Sequence, residues 1–396
     1  MSLLSETFYR VFDPVPYGFP VPSVPVLPKR LGKSLACSRS HAYEPITSGA
    51  RAVFYSRARY ALFEALRRLA VGPGAVVLVP SYHCRNMLDP VLALGADALL
   101  YPVGADLHAN PATIESAVAA CTLPVRALLV VHYFGFPRQI AALQAWCAAR
   151  DIALIEDCSH AYYRPIENSG LGRAGRYVIA SPYKFCPSVE GGVLILPNQE
   201  TPPSLAGRTL KETLQIGMGI VRGACSSGAE VLELPGRYAP VVLDPHDPYS
   251  EPPATISPTY AGRLEKRRGS RLSRWVAAVS SADRIAQARR KHYLHWLEQT
   301  RKLPRASALF PELREGVVPY MFPLLLKYPM PDFFRLKRAG VPVWRWDNMA
   351  VSGCETSMAY RLGLIHLPCH QDLSEREMTW MTAVIGRVLG AAEADL

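Results

Sequence analysis

The sequence has no CxxC pair and no cysteine–histidine spacing that would hold a metal, although it carries nine cysteines in 396 residues. An odd and scattered set excludes a disulfide framework as the organising device and gives no ligand set for structural zinc. Cys121, Cys147 and Cys158 lie in or beside apolar segments, where cysteine packs as a small hydrophobe. Also absent is any apolar run close to the ~20 residues that cross a bilayer. Residues 1–10 lack the basic start and apolar centre of a secretory leader. A reduced, cytoplasmic protein with no membrane partner is therefore expected. No internal repeat or low-complexity tract is visible. No GxGxxG follows the first apolar run, which argues against a dinucleotide-binding Rossmann domain.

What is present describes a folded protein: 49% hydrophobic and 19% charged residues, in a chain long enough for two domains. The formal net charge is +11, spread along the chain with one denser patch: Arg263, Lys266, Arg267, Arg268, Arg271 and Arg274. No groove-reading or base-stacking motif surrounds that patch, so no nucleic-acid partner is expected. It reads as a solvated surface, with a role in holding an anionic substrate as the second reading.

Three segments are predicted. Residues 1–47 hold Pro14, Pro16, Pro20, Pro22, Pro25 and Pro28, a run that excludes helix and reads as an extended arm free to wrap a domain or subunit. Residues 48–270 form a large domain in which helical spacing alternates with apolar runs. Helices are expected at 59–70, 86–94, 111–120 and 138–150. Strands are expected at 75–79, 98–100, 126–131, 152–155, 177–180 and 192–196. Such alternation predicts an α/β fold with a mostly parallel sheet covered on both faces. Within this domain 201–270 shows weak periodicity and reads as a divergent connection or insertion. Residues 271–396 form a smaller α+β domain, with helices at 275–302, 332–339 and 375–389 and a strand-like run at 317–326.

Two residues stand out against this frame. Asp157 ends the buried strand, where ligands bind in parallel sheets. Lys184 follows in Ser181-Pro182-Tyr183-Lys184, just before Gly191-Gly192 and another apolar run. A carboxylate at a strand end and a lysine in a loop between strands are what pyridoxal 5'-phosphate (PLP) requires: the lysine holds the aldehyde as a Schiff base, and the carboxylate keeps the ring nitrogen protonated. The cofactor's phosphate needs donors at a helix N-terminus. Ala58 and Arg59 open the first helix of the domain and supply two amides, with charge from Arg59. Ser181 offers a hydroxyl, and His160 is placed to meet the ring oxygen. Tyr82 or His83, just after the second strand, would cover the ring face. No metal site is expected.

These motifs resemble the DegT/DnrJ/EryC1/StrS family of PLP-dependent sugar aminotransferases. The resemblance rests on Glu156-Asp157-Cys158-Ser159-His160-Ala161, on Ser181 to Lys184 with Glu190-Gly191-Gly192-Val193, and on Val131-His132-Tyr133-Phe134-Gly135. It also rests on Val79-Pro80-Ser81-Tyr82 and the late Leu367-Pro368-Cys369-His370. It implies fold type I, with a mostly parallel seven-stranded large domain and a smaller C-terminal domain. It further implies Lys184 and Asp157 as catalytic residues, with His160, Ser181, Ala58 and Arg59 at the cofactor. By the same resemblance the chain is a homodimer with shared active sites. It would move an amino group from an amino-acid donor, glutamate, to a keto acceptor, a nucleotide-linked keto-sugar, in nucleotide-sugar or polysaccharide biosynthesis.

The chain departs from the family pattern at three places. Arg57-Ala58-Arg59 replaces the usual Ser-Gly-Thr turn, Cys84 stands where an aromatic is expected, and 201–270 has no clear counterpart. Competing readings are another PLP-dependent reaction, a lyase or elimination, and an inactive family member that serves as a binding module.

Overall fold

The structure is a computed structural model that describes residues 19–35, 42–167, 169–225 and 256–390, with two short strands at Phe8–Tyr9 and Pro248–Tyr249. Pro14 and Pro16 of the arm lie outside the described residues.

Seven strands build the central sheet: β1 (Arg51–Tyr55), β2 (Val76–Pro80), β3 (Asp97–Tyr101), β4 (Val125–Val131), β5 (Ala153–Asp157), β6 (Tyr177–Ala180) and β7 (Gly192–Leu196). Their spatial order is β1-β7-β6-β5-β4-β2-β3. Neighbours are parallel except β7, which runs antiparallel to both β6 and β1. β2 and β7 are buried along their whole length, as strands covered on both faces must be. The crossovers are helices α1 (Ala58–Arg68), α2 (Arg85–Ala93), α3 (Pro111–Val118) and α4 (Ala141–Ala148). Every strand and helix expected between 59 and 196 is present, with ends shifted by a few residues. β1 was not expected: five residues with one exposed end make a weak pattern, and pairing with β7 is what defines the strand.

The stretch at 201–270 contains α5 (Leu210–Cys225), a helix that the periodicity did not announce. The single helix expected over 275–302 is two, α6 (Arg271–Val279) and α7 (Ala282–Thr300). The break falls at two serines whose hydroxyls compete for backbone groups. Ser280 Oγ donates to the Val276 carbonyl at 2.7 Å, and Ser281 caps α7 by accepting from the Arg284 amide at 3.3 Å.

The remaining elements are β8 (Ala306–Ala308), β9 (Met321–Leu326), α8 (Pro329–Arg338), α9 (Glu355–Gly363), β10 (Leu364–Pro368) and α10 (Glu375–Gly390). β8, β9 and β10 form an antiparallel sheet in that order. The N-terminal arm packs back onto this C-terminal region. The Lys29 and Arg30 amides donate to Asp372 Oδ2 at 2.5 and 2.6 Å, and Gln371 Nε2 donates to Ser34 Oγ at 2.9 Å.

Gly135 joins the C-terminal region to the end of β4. Its φ is +94°, and a Cβ there would lie 2.3 Å from the Val318 carbonyl oxygen. Only glycine allows that approach, which lets the Tyr320 amide donate to the Phe134 carbonyl at 2.8 Å. Among the described residues no helix is long and apolar enough to cross a membrane.

Candidate active site

One cleft at the carboxyl ends of the parallel strands collects Asp157, Lys184, His160, Ser181, Ala58 and Arg59, six of the eight residues singled out in the sequence. Asp157 arrives there because β5 pairs with β4 up to Val131, so the last residue of the strand stands at the rim. Its Oδ1 accepts from the Ser159 amide at 2.7 Å. Burial pushes the Asp157 carboxyl above its usual range, opposed by the hydrogen bonds of Ser159 and by the Lys184 ammonium.

Lys184 closes a short 3₁₀ turn, Pro182–Lys184, whose amide donates to the Ser181 carbonyl at 3.0 Å. The backbone beneath it is clamped from the C-terminal region, because Arg289 Nη2 donates to the Lys184 carbonyl at 2.9 Å. The Lys184 ammonium lies 5.2 Å from the ring centre of Tyr320, within the range of a cation–π contact.

His160 is buried and accepts at Nδ1 from the Phe134 amide at 3.3 Å. An accepting Nδ1 leaves the proton on Nε2. Burial pushes the imidazole well below its usual range, with Lys184 and His366 acting in the same direction. Its ring stacks on Tyr320, 4.3 Å between centroids.

The first turn of α1 reaches the cleft because Gly192 carries no side chain. A Cβ at Gly192 would lie 2.1 Å from the Arg57 carbonyl carbon and 2.5 Å from the Ala58 nitrogen. The leading amides of a helix have no intrahelical acceptor, so those of Ala58 and Arg59 are donors for an anion. Ser56 Oγ, just before this turn, is buried with no hydrogen-bond partner.

Three expectations need correction. Arg59 lines the cleft, but its guanidinium is bound to Asp89 Oδ2 at 3.3 Å, Asn86 Oδ1 at 2.9 Å and the Thr259 carbonyl at 2.6 Å. Its charge therefore serves Asp89, a buried carboxylate, rather than an anion at the helix end. Neither Tyr82 nor His83 lines the cleft. The Tyr82 hydroxyl bonds His366 Nε2 at 3.2 Å and its ring packs on Trp346, while His83 Nε2 accepts from the Ala350 amide at 3.2 Å. Cys84 lines the cleft instead. The chain turns into α2 there; the Tyr82 ring packs into a cluster with Tyr133, Trp346 and Tyr360, and His83 is buried against backbone groups of Cys84 and Ala350.

Tyr320 was missed, since nothing local marks a tyrosine after a proline as part of a site formed by residues far upstream. Arg57, Tyr183 and Ser159 also line the cleft. Ser159 was legible in principle, as the residue two beyond an aspartate often donates its amide to that carboxylate.

Glu156, beside Asp157, is structural. Its Oε1 accepts from His132 Nε2 at 2.9 Å and from the Gly172 amide at 2.6 Å, and its Oε2 accepts from the Ala174 amide at 3.0 Å. The seven described cysteines are all free.

Known proteins resemble the chain in sequence over part of its length and in fold over most of it. Residues 47–206 match the DegT/DnrJ/EryC1/StrS aminotransferase family. Over 153 residues the chain is 30% identical to a UDP-N-acetyl-3-dehydro-alpha-D-glucosamine 3-aminotransferase of Acidithiobacillus ferrooxidans, a match spanning 37% of this chain and 40% of that relative. Two solved structures share its fold. A DegT DnrJ EryC1 StrS aminotransferase from Brucella abortus has a TM-score of 0.58 at 20% identity, covering 87% of each chain. NtdA from Bacillus subtilis, solved with bound cofactor PMP, has a TM-score of 0.56 at 15% identity, covering 87% of this chain and 75% of its own. Over residues 47–206 the sequence is similar to the DegT/DnrJ/EryC1/StrS aminotransferase family, and over 87% of its length the chain shares the fold of a solved member.

Proposed function

We propose that the protein is a PLP-dependent aminotransferase that takes an amino group from an amino-acid donor, glutamate, and delivers it to a keto acceptor, a nucleotide-linked keto-sugar. One observation carries this reading: Asp157, Lys184 and the first turn of α1 come from three separate elements and meet in one cleft. The donor set fits the cofactor, with a carboxylate for the ring nitrogen, an amine for the aldehyde and helix amides for the phosphate. The space that Gly192 leaves for the helix end, and the unpartnered hydroxyl of Ser56, support the phosphate position.

When bound, PLP supplies an aldehyde and a ring that withdraws electrons from the carbon being converted. The chain's own residues do the rest. Asp157 receives the cation of the ring nitrogen, which compensates the carboxylate that burial alone disfavours. Lys184 Nζ, once free as an amine, would take the proton from the donor's α-carbon and deliver it to the former aldehyde carbon within the same half-reaction, and would carry a proton in the reverse direction, onto the acceptor's carbon, in the second. His160 Nε2–H donates toward the ring oxygen, and its tautomer is held by the Phe134 amide. Ala58 and Arg59 amides and the Ser181 hydroxyl hold the phosphate, which fixes the cofactor against rotation.

The same reading takes 1–47 as an arm, 48–270 as the cofactor domain and 271–396 as the smaller domain. It also makes the protein a cytoplasmic homodimer with shared sites. Free cysteines are consistent with a reducing compartment.

Absorbance decides the central claim. Wild-type protein given PLP should acquire a visible band that survives desalting, and Lys184→Ala should lack it. Glutamate should then bleach the band with release of 2-oxoglutarate. A wild type that retains no PLP overturns the reading, and retention of PLP without bleaching by any amino acid overturns the transfer step.

A further inference from the structure

Beside the cofactor cleft lies a groove of about 510 Å³ that shares Arg57 and Tyr183 with it. Three cations from three elements line this groove: Lys29 of the arm, Arg57 at the start of α1, and Arg222 of α5. No acidic side chain among the described residues lines it. The Arg57 guanidinium is held, among the described residues, by neutral acceptors, the carbonyls of Val189 at 2.8 Å and Ser56 at 3.2 Å, and it lies over the Tyr183 ring at 4.7 Å. Among the described residues neither Lys29 nor Arg222 has a carboxylate within ion-pair distance. Like charges drawn to one concavity without a counter-charge cost free energy unless an anion joins them.

The groove is also kept open by sequence. Gly219 and Gly223 lie one helical turn apart on α5 and face the groove wall. A Cβ at Gly219 would lie 2.8 Å from Val189 Cγ1, and one at Gly223 would lie 3.3 Å from the Lys29 carbonyl oxygen. The arm is fixed at the same place, because the Lys29 amide is bonded to Asp372. Both walls of the groove are thus anchored.

We propose that this groove is an anion subsite, and that it takes the phosphate ester of the acceptor while the acceptor's carbonyl reaches Lys184. Arg57 and Tyr183 form the shared wall, so one molecule can occupy groove and cleft together. Only the identification of the ligand as the acceptor rests on the aminotransferase reading; anion binding in the groove does not.

The test is calorimetric titration of the PLP-saturated protein with pyrophosphate, comparing wild type with a Lys29→Ala/Arg222→Ala double variant. Saturating PLP occupies the phosphate position of the cleft, which leaves the groove as the site titrated. Loss of two charged contacts should weaken binding roughly tenfold or more, with the visible band unchanged. Equal affinity in the two proteins, or no binding to wild type, overturns the subsite. A Gly219→Leu variant, which fills the groove without touching a charge, should lose binding as well, and full retention there also counts against it. Competition against pyrophosphate by a hexose 1-phosphate and by uridine diphosphate separates the two sources of the phosphate, the tighter competitor identifying it. If no visible band forms, the aminotransferase reading fails, and the loss of pyrophosphate binding in the Lys29→Ala/Arg222→Ala variant, whose changes lie outside the cleft, still decides the subsite.

Discussion

The ring of Tyr320 lies over that of His160 with 4.3 Å between centroids and 26° between planes. The two residues belong to opposite ends of the chain's architecture, and the contact exists because the Tyr320 amide is bonded to the Phe134 carbonyl at 2.8 Å. One side chain from the C-terminal region thus supports His160 and faces the Lys184 ammonium.

Tyr320→Leu should therefore lower stability by about 1–3 kcal/mol and weaken PLP retention roughly tenfold, since both the stack and the cation–π face are lost. Tyr320→Phe keeps the ring and should stay near wild type in both. Denaturant unfolding and PLP titration measure the two effects. Unchanged PLP affinity in the leucine variant would show that the ring supports nothing in the cleft.

Gly192→Ala should be among the most damaging single-methyl changes in the chain. Its Cβ would meet backbone atoms of Arg57 and Ala58 at 2.1–2.5 Å, and backbone cannot rotate aside as a side chain can. A loss of about 3 kcal/mol is expected, at the upper end for overpacking, with a displaced α1 and impaired PLP uptake. Thermal unfolding and absorbance read both. A variant with wild-type melting temperature and spectrum would refute the packing assigned to this strand.

Arg59→Ala separates a structural arginine from a phosphate ligand. Asp89 would stay buried with the Ser257 amide at 2.9 Å, the Ser257 hydroxyl at 2.8 Å and the more distant Arg85 Nε at 3.8 Å. Removing one partner of a buried pair costs about 3 kcal/mol. PLP affinity should change less than roughly threefold, because the guanidinium does not serve the anion. A large fall in PLP affinity at intact stability would restore the guanidinium to the phosphate site.

Stability should fall as the solution becomes acidic from about pH 6.5. Burial holds His83 at about 4, and His366 and His370 at about 3, against a free value of 6.5; His160 is lowered too. Below 6.5 the unfolded chain binds protons that the folded chain refuses, so each histidine contributes stability above that pH and loses it on descent toward its folded value. The cost is roughly 2 kcal/mol per histidine between pH 6.5 and 5. Asp157 has the opposite sign. Its raised value gives stability that is full below 3.8 and is lost as pH rises through the folded value, so it acts against the histidines. Urea midpoints from pH 8 to 5 would check this, and a flat profile would contradict the neutral burial of these histidines.

Much of the large domain was legible because its elements are local. Wholly apolar runs such as Val76–Pro80 announce buried parallel strands, and helical spacing between them announces the crossovers. Asp157 and Lys184 were legible for the same reason, each standing at a fixed place relative to a readable strand. α5 was not legible. Its apolar residues Leu210, Leu214, Met218 and Val221 are exposed, and its glycines serve close packing rather than helix propensity. The division of 275–302 was hidden because Ser280 and Ser281 interrupt an amphipathic pattern only weakly.

The amino-acid sequence by itself determined the α/β alternation, the strand end that carries Asp157 and the loop that carries Lys184. Periodicity and strand length are properties of neighbouring residues, so no tertiary information is needed to read them. Only the tertiary structure decided which side chains share the cleft. Tyr82 and His83 turned inward because apolar burial outweighs exposure at the strand end, and Cys84 took the place beside Asp157. Arg59 was claimed by Asp89, a residue on another helix whose buried charge needs a partner. Tyr320 came to back His160 and Lys184 through a close backbone approach at Gly135, where a side chain would clash. Each outcome depends on contacts between segments far apart in the chain, and such contacts leave no trace in local spacing.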